Sequence, residues 1–432
     1  MESISIGLLG LGTVGAGVVK IIENHQDKLS HQIGCPVKVK KALVQDIEKD
    51  RGLTIEDGIL TLHPEDVLTD PEIDIVVEVM GGIEATKEHL LQALKNKKHV
   101  VTANKDLMAV HGPELLKAAS ANECDLFYEA SVAGGIPILR SLVDGLASDR
   151  ITKMMGIVNG TTNFILTKMT KEGRSFEDVL KEAQDLGFAE ADPTADVGGL
   201  DAARKMAIMS TLGFSMNVDL ADVKVKGITD VTADDIEYAA QFGYTMKLIG
   251  YAHRDGEKVE VSVEPTLLWD DHPLSSVNDE YNAVYVYGEA VGETMFYGPG
   301  AGSLPTATAV VSDMVGIMKN MRLGVTGKSA VNPQFPKKLK EREEVSSQYF
   351  LRLHVQDEIG VLAKLTSIFS NHGVSFQKIL QNPLNGAGYS EIVLVTHKAS
   401  LDRYEDILME LKDYHAIHSI ESSYRVEGGE KG

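Results

Sequence analysis

A short apolar run, Ile4–Leu9, leads straight into Gly10-Leu11-Gly12-Thr13-Val14-Gly15-Ala16-Gly17, and helical spacing follows from Val14 to Glu23. No other feature of the chain restricts its fold so strongly. Glycines in the order G-x-G-x-x-G between a strand and a helix do three jobs. The first allows a tight turn, the second lets backbone approach a pyrophosphate, and the third lets helix and strand pack closely. The helix N-terminus then offers unpaired N–H groups and a partial positive charge to phosphates. The expectation is a dinucleotide site formed by Gly10, Gly12, Thr13, Val14 and Gly15.

The next hundred residues agree with that start. Val37–Val44, Ile73–Val79 and His99–Thr102 read as strands, and Lys87–Lys95 as a helix. Ile73–Val79 is apolar in all but its Asp and Glu. Strands alternating with helices imply parallel pairing through right-handed crossovers, hence a Rossmann-type doubly wound sheet over residues 1–132. Ligands bind such sheets beyond the carboxyl ends of the strands. Gln45 and Asp46 end the second strand there. An acid at this point reads a ribose hydroxyl and favours NAD, whereas a nearby Arg favours NADP. Asp46 suits the first role and Lys49 or Arg51 the second, so both cofactors stay open. Gly81 and Gly82 follow the third strand. Lys105 follows the fourth, in Thr102-Ala103-Asn104-Lys105, where a solvated surface lysine is as good a reading as a functional one.

Residues 133–334 mix α and β signals. Ser175–Leu186 is a helix with Ser175 as its cap and Asp178 three residues on. Phe176, Val179, Leu180, Ala183 and Leu186 form its apolar stripe, and Gly187 ends it. Val259–Val263 and Ala283–Tyr287 read as strands. A long helix over 306–325 is expected to return to the first domain. The charged run 335–346, FPKKLKEREEVS, reads as a linker, with an exposed helix as the alternative. From 347 to 427 the signals restart in the order βαββαβ, a ferredoxin-like unit.

Composition narrows the partners. The net charge of −21 argues against nucleic acid or an anionic membrane surface, since both attract basic proteins. No apolar run approaches the roughly 20 residues needed to span a bilayer. Two widely spaced cysteines, Cys35 and Cys124, make neither a disulfide framework nor a structural zinc site. The N-terminus lacks a basic region and cleavage site, so a reducing cytoplasm is expected.

With these features read, the chain resembles the homoserine dehydrogenases over about residues 4–325. The resemblance rests on Gly10–Gly17, on Thr102–Lys105, and on Glu129-Ala130-Ser131-Val132-Ala133-Gly134-Gly135-Ile136-Pro137. It rests further on Asn159-Gly160-Thr161-Thr162-Asn163. Most specific is Gly187-Phe188-Ala189-Glu190-Ala191-Asp192-Pro193 with Asp196 and Gly199-Leu200-Asp201-Ala202-Ala203-Arg204-Lys205. Val355–Gly373 resembles the start of an ACT domain, a module that senses amino acids.

The resemblance implies interconversion of L-homoserine and L-aspartate 4-semialdehyde with NAD or NADP, on the route to threonine, methionine and isoleucine. Asp201 and Lys205 lie four apart on one helical face, which spacing alone reads as a surface ion pair worth about 0.3–0.5 kcal/mol. The resemblance makes Lys205 the proton-transfer residue, Lys105 a second candidate, and Asp201 a substrate carboxylate. Glu190 would hold the substrate ammonium and Gly187 would lend a carbonyl. Gly302, in a Gly-rich loop, would approach the cofactor, although a plain connecting loop reads equally well. Backbone carbonyls of Glu129, Val132, Gly134 and Ile136 would bind a structural sodium ion. Gly360 would admit a regulatory amino acid, most plausibly threonine, and ACT pairing implies a dimer or tetramer. One departure stands out: many members have Arg where this chain has Gln45. A rival reading, aspartate-semialdehyde dehydrogenase, needs a nucleophilic cysteine. Cys124 sits between acidic neighbours that would raise its pKa. A second rival is a non-catalytic sensor of dinucleotide and amino acid.

Overall fold

The first strand, β1 (Ile4–Leu9), is buried at every position, the pattern of a parallel strand covered on both faces. It belongs to a computed structural model that describes residues 3–328, 333–384 and 388–428. After β1 come α1 (Thr13–Asn24), α2 (Gln26–Ile33), β2 (Val37–Leu43), β3 (Leu60–Thr61), α3 (Glu65–Leu68), β4 (Ile75–Glu78), α4 (Glu84–Lys95), β5 (His99–Thr102), α5 (Lys105–Ala121) and β6 (Leu126–Phe127). The middle of the chain forms α6 (Ile138–Arg140), β7 (Ile151–Ile157), α7 (Gly160–Glu172), α8 (Phe176–Asp185), α9 (Thr194–Val197), α10 (Leu200–Phe214), β8 (Lys224–Val225) and α11 (Ala233–Gln241). Next are β9 (Tyr244–Asp255), β10 (Lys258–Trp269), β11 (Tyr281–Gly288), β12 (Gly292–Pro299) and α12 (Ser303–Leu323). The last part holds β13 (Ser346–Gln356), α13 (Val361–Asn371), β14 (Phe376–Pro383), β15 (Tyr389–Thr396), β16 (Ala399–Ser400), α14 (Leu401–Asp413) and β17 (Ile417–Glu427). Two compact units result. The first takes residues up to Thr152, Arg204–Asp222 and Asn282–Pro336; the second takes Lys153–Ala203, Val223–Tyr281 and the chain from Lys337.

The first unit carries a six-stranded sheet in the order β3-β2-β1-β4-β5-β6, parallel throughout. The order reverses between β1 and β4, which is where an open sheet leaves a crevice for ligands. The expected late helix does return to this domain. Ala307, Val310, Met314 and Ile317 of α12 share one core with Ile4, Ile6, Leu8, Val18 and Ile22. The approach is close, because a side chain at Gly17 would collide with the Ser303 carbonyl.

In the second unit, strands run β7-β9-β10-β17-β13-β15-β14. The last four, with α13 and α14, realise the expected βαββαβ unit. Leu365, Ile368 and Phe369 of α13 and Tyr404, Ile407 and Leu411 of α14 pack on Leu351, Leu353 and Val355 of β13. This unit does not hang on a tether. Thr266–Leu268 of β10 pair in parallel with Arg425–Glu427 of β17, so one sheet continues through both.

A buried ionic cluster closes the same junction. Asp235 sits at the third position of α11 and forms a reciprocal capping box with Thr232. The same carboxylate accepts from Arg352 Nε at 2.8 Å, Ser422 Oγ at 2.5 Å and Tyr424 OH at 2.8 Å. Arg352 also donates to Glu391 Oε1 at 2.9 Å, and Tyr238 OH to Glu391 Oε2 at 2.5 Å.

Two expectations need correction. Leu186 is 58% exposed, because α8 ends at Asp185 and Leu186 is its C-cap, one position past the helix and beyond the buried stripe that ends at Ala183. The run 335–346 forms neither a helix nor a free linker. Phe335 bridges to Met216, while Val259 N donates to Lys338 O at 2.9 Å and Lys340 N to Val259 O at 2.8 Å. Its backbone is held by β-type hydrogen bonds that charge patterning does not report. Among the described residues, no helix is long and apolar enough to cross a membrane.

Removing one partner of a buried charge pair leaves the other uncompensated. Asp235→Ala should therefore lower stability by about 3 kcal/mol in urea unfolding, and Asp235→Asn by less. A loss under about 1 kcal/mol in the alanine variant would show that the cluster does not hold this junction.

Candidate active site

The glycine loop of the first unit has the geometry its spacing implies. Gly10 lies at φ +104°, and a Cβ there would sit 2.9 Å from the Met80 Cα, so only glycine fits. A Cβ on Gly15 would collide with the Gly10 carbonyl, whereas one on Gly12 would meet nothing. Gly12 caps α1 without a side-chain partner, which leaves the helix N–H groups facing the loop. Ser303 Oγ donates to Thr13 O at 2.6 Å, so Gly302 and the start of α12 stand beside this loop. Gln45 and Asp46 are exposed beyond β2. Asp46 accepts from Glu48 N at 2.9 Å, and Arg51 donates to the carbonyls of Lys49 and Asp46.

Beyond Val14 a cavity of about 220 Å³ is lined by Glu78, Gly81, Ala103, Asn104 and Lys105. Glu78, which pattern reading notes only as an exception in an apolar strand, is fully buried. Its Oε1 accepts from Met80 N at 2.9 Å and Gly81 N at 3.0 Å, and its Oε2 from Thr102 Oγ1 at 2.5 Å. Burial pushes this carboxyl upward, and the Thr102, Gly81 and Met80 donors pull it partly back. Asn104 caps α5 by accepting from Leu107 N at 3.0 Å, which puts Lys105 at the first helical position.

Lys205 lies on α10, one turn beyond Asp201. The residues next to the two candidate lysines meet within the first unit: Arg204 Nε lies 2.9 Å from Asp106 Oδ1. This pair ties the Lys205 segment to the carboxyl end of β5. Both lysines are half-buried.

The second unit gathers a group of acidic residues of its own. Asn159 is buried and caps α7 through Thr162 N at 2.9 Å. Its Nδ2 donates to Asp196 Oδ1 at 2.7 Å and to Asp201 Oδ2 at 2.9 Å, so one amide aligns two carboxylates. Thr161 Oγ1 donates to Phe188 O at 2.6 Å, and Gln184 Nε2 to Glu190 O at 3.1 Å. These bonds fix the backbone of the loop after Gly187, while the Glu190 side chain stays exposed. Asp192 is tied up locally, accepting from Thr194 Oγ1 at 2.6 Å. Sequence reading finds Asn159 inside a motif but not its reach, since a cap signal says nothing about residues 42 positions away.

In the first unit, the Glu129–Ile136 loop turns through two left-handed residues, Ala133 and Gly134, and a Cβ on Gly134 would overlap the Gly300 carbonyl. The Glu129 carboxylate points away from the turn and accepts from Leu139 N at 2.8 Å and Arg140 N at 2.7 Å. Gly360, at φ +97°, caps α13 with open space where a side chain would be. Cys124 is buried, and its thiol is pushed up to about 11. Burial is the main cause, ahead of the acidic neighbours that sequence reading credits. Such a thiol is poorly suited to nucleophilic attack.

Comparison with known proteins agrees with this geometry. Residues 10–129 match the homoserine dehydrogenase NAD-binding domain, 137–315 the homoserine dehydrogenase catalytic family, and 349–416 the ACT domain. A homoserine dehydrogenase of Bacillus subtilis is 65% identical over 429 residues, covering 99% of each chain. The chain belongs to the homoserine dehydrogenase family. Among solved structures, a homoserine dehydrogenase from Thiobacillus denitrificans matches with a TM-score of 0.93 at 39% identity, over 99% of each chain. A hyperthermophilic archaeal homoserine dehydrogenase in complex with NADPH matches at 0.62 and 26% identity, over 74% of this chain and 98% of that one. The protein is thus an oxidoreductase with a nicotinamide-dinucleotide domain and an ACT domain.

Asn159→Ala would leave buried Asp201 and half-buried Asp196 without their shared donor. We expect KM for homoserine to rise about tenfold, with KM for the dinucleotide unchanged within about twofold, in steady-state assays.

Proposed function

We propose that the enzyme oxidises and reduces the terminal carbon of homoserine with Lys205 as the group that takes and returns the hydroxyl proton. The observation that carries this reading is the Arg204–Asp106 ion pair, which sets the residue before Lys205 against the residue after Lys105 beyond the end of β5. Bound NAD or NADP would accept the hydride. In oxidation, the C–H electron pair leaves with that hydride, and the alcohol O–H proton passes to a neutral Lys205 amine as the carbonyl forms. In reduction the Lys205 ammonium returns the proton. Lys105 is the second candidate for that proton transfer. Asp201 and Glu190, with the Gly187 carbonyl, would hold the substrate, and Asn159 would keep Asp201 aimed.

The carbonyl oxygens of Glu129, Val132, Gly134 and Ile136 suit a hard monovalent cation such as sodium, and the tight left-handed turn supports that role. Its function would be structural. The assignment favours the route to threonine, methionine and isoleucine, in the cytoplasm. The open edge of β14 supports pairing of ACT units into a dimer or tetramer. The open space at Gly360 supports binding of a regulatory amino acid, with threonine the proposed effector.

Lys205→Ala should lower kcat by at least about 100-fold with either NAD or NADP. Near-wild-type turnover would move the proton transfer to Lys105, and the same assay on the wild type reads the cofactor preference. Millimolar threonine should reduce activity and shift the melting temperature. No change in either would leave the ACT unit as a dimerisation module without this ligand.

A further inference from the structure

Glu78 is an ionisable residue in a strand that otherwise contributes only apolar side chains to the sheet interior. Burying a carboxylate is costly unless donors surround it. Here the donors are specific. Oε1 takes the N–H groups of Met80 and Gly81, and Oε2 takes the Thr102 hydroxyl. Thr102 Oγ1 in turn accepts from Asn104 N at 3.0 Å, and Asn104 Nδ2 donates to Gly82 O at 2.7 Å. The bonds close a ring that runs from the end of β4 to the end of β5 and back. That ring sets how far apart these two strand ends stand. It also sets where Met80 lies against Gly10, since a Cβ on Gly10 would touch Met80 backbone.

We infer that Glu78 is the positioning residue for the nicotinamide half of the cofactor pocket, fixing the Met80–Gly82 turn against the glycine loop and the Thr102–Lys105 segment at the cavity wall. The adenosine half would rest at the end of β2, whose residues take no part in the ring. This inference relies on the cofactor pocket assigned under the proposed function. It predicts an asymmetric loss that general destabilisation would not produce.

The test uses the full-length protein and two probes: the reduced dinucleotide, followed by its own fluorescence, and the matching adenosine diphosphate fragment, followed by calorimetry. Glu78→Ala should weaken the dinucleotide about tenfold or more and leave the fragment within about twofold. Glu78→Gln should restore most of the affinity, because its carbonyl can accept from Met80 and Gly81 and its amide can donate to Thr102 Oγ1. Should Glu78→Ala fail to fold, Thr102→Val removes only the hydroxyl and should weaken the dinucleotide several-fold with the fragment unchanged. Dinucleotide binding at wild-type strength in Glu78→Ala would overturn the inference, as would equal loss of dinucleotide and fragment. A wild-type protein that bound neither probe would instead overturn the pocket assignment itself.

Discussion

Buried carboxylates need donors, and the placement of those donors organises this protein. An ionised oxygen taken out of water must be met by N–H or O–H groups, or the fold loses several kcal/mol. Glu78 is met by two backbone amides and a hydroxyl, Asp201 and Asp196 by one shared amide, and Asp235 by an arginine, a serine and a tyrosine. Each cluster forces segments distant in sequence into one geometry. Two of the three surround residues to which the chemistry is assigned. The third joins the ACT unit to α11.

That third cluster, together with the β10–β17 pairing, builds the ACT domain into the second unit. The C-terminal module shares a sheet with β10, and its Arg352 and Tyr424 bind the Asp235 carboxylate of the α11 capping box. α11 in turn packs on α7, whose cap is Asn159. The ACT sheet is therefore joined through α11 to the helix that Asn159 caps.

Much of the fold is legible in the sequence where its signals are local. Glycine spacing over Gly10–Gly15, the Ser175 cap and the βαββαβ order after 347 each depend on residues a few positions apart, and all appear in the structure. The family motifs around Asp201 and Lys205 were visible for the same reason. Leu186 departs from its stripe because an apolar pattern can continue in sequence after its helix has ended. The run 335–346 departs from a linker because its partner, β10, is remote in sequence. Glu78 was visible as an anomaly, but its partners were not.

By itself the sequence determined which segments become strands and helices and where backbone must turn through glycine, since those outcomes follow from contacts within one or two turns. Only the tertiary structure decided which charges are neutralised and by what. Asn159 reaches Asp201 across 42 residues, and Arg352 reaches Asp235 across 117. Such pairs form because folding brings both partners into a space without water, and no local pattern encodes that space.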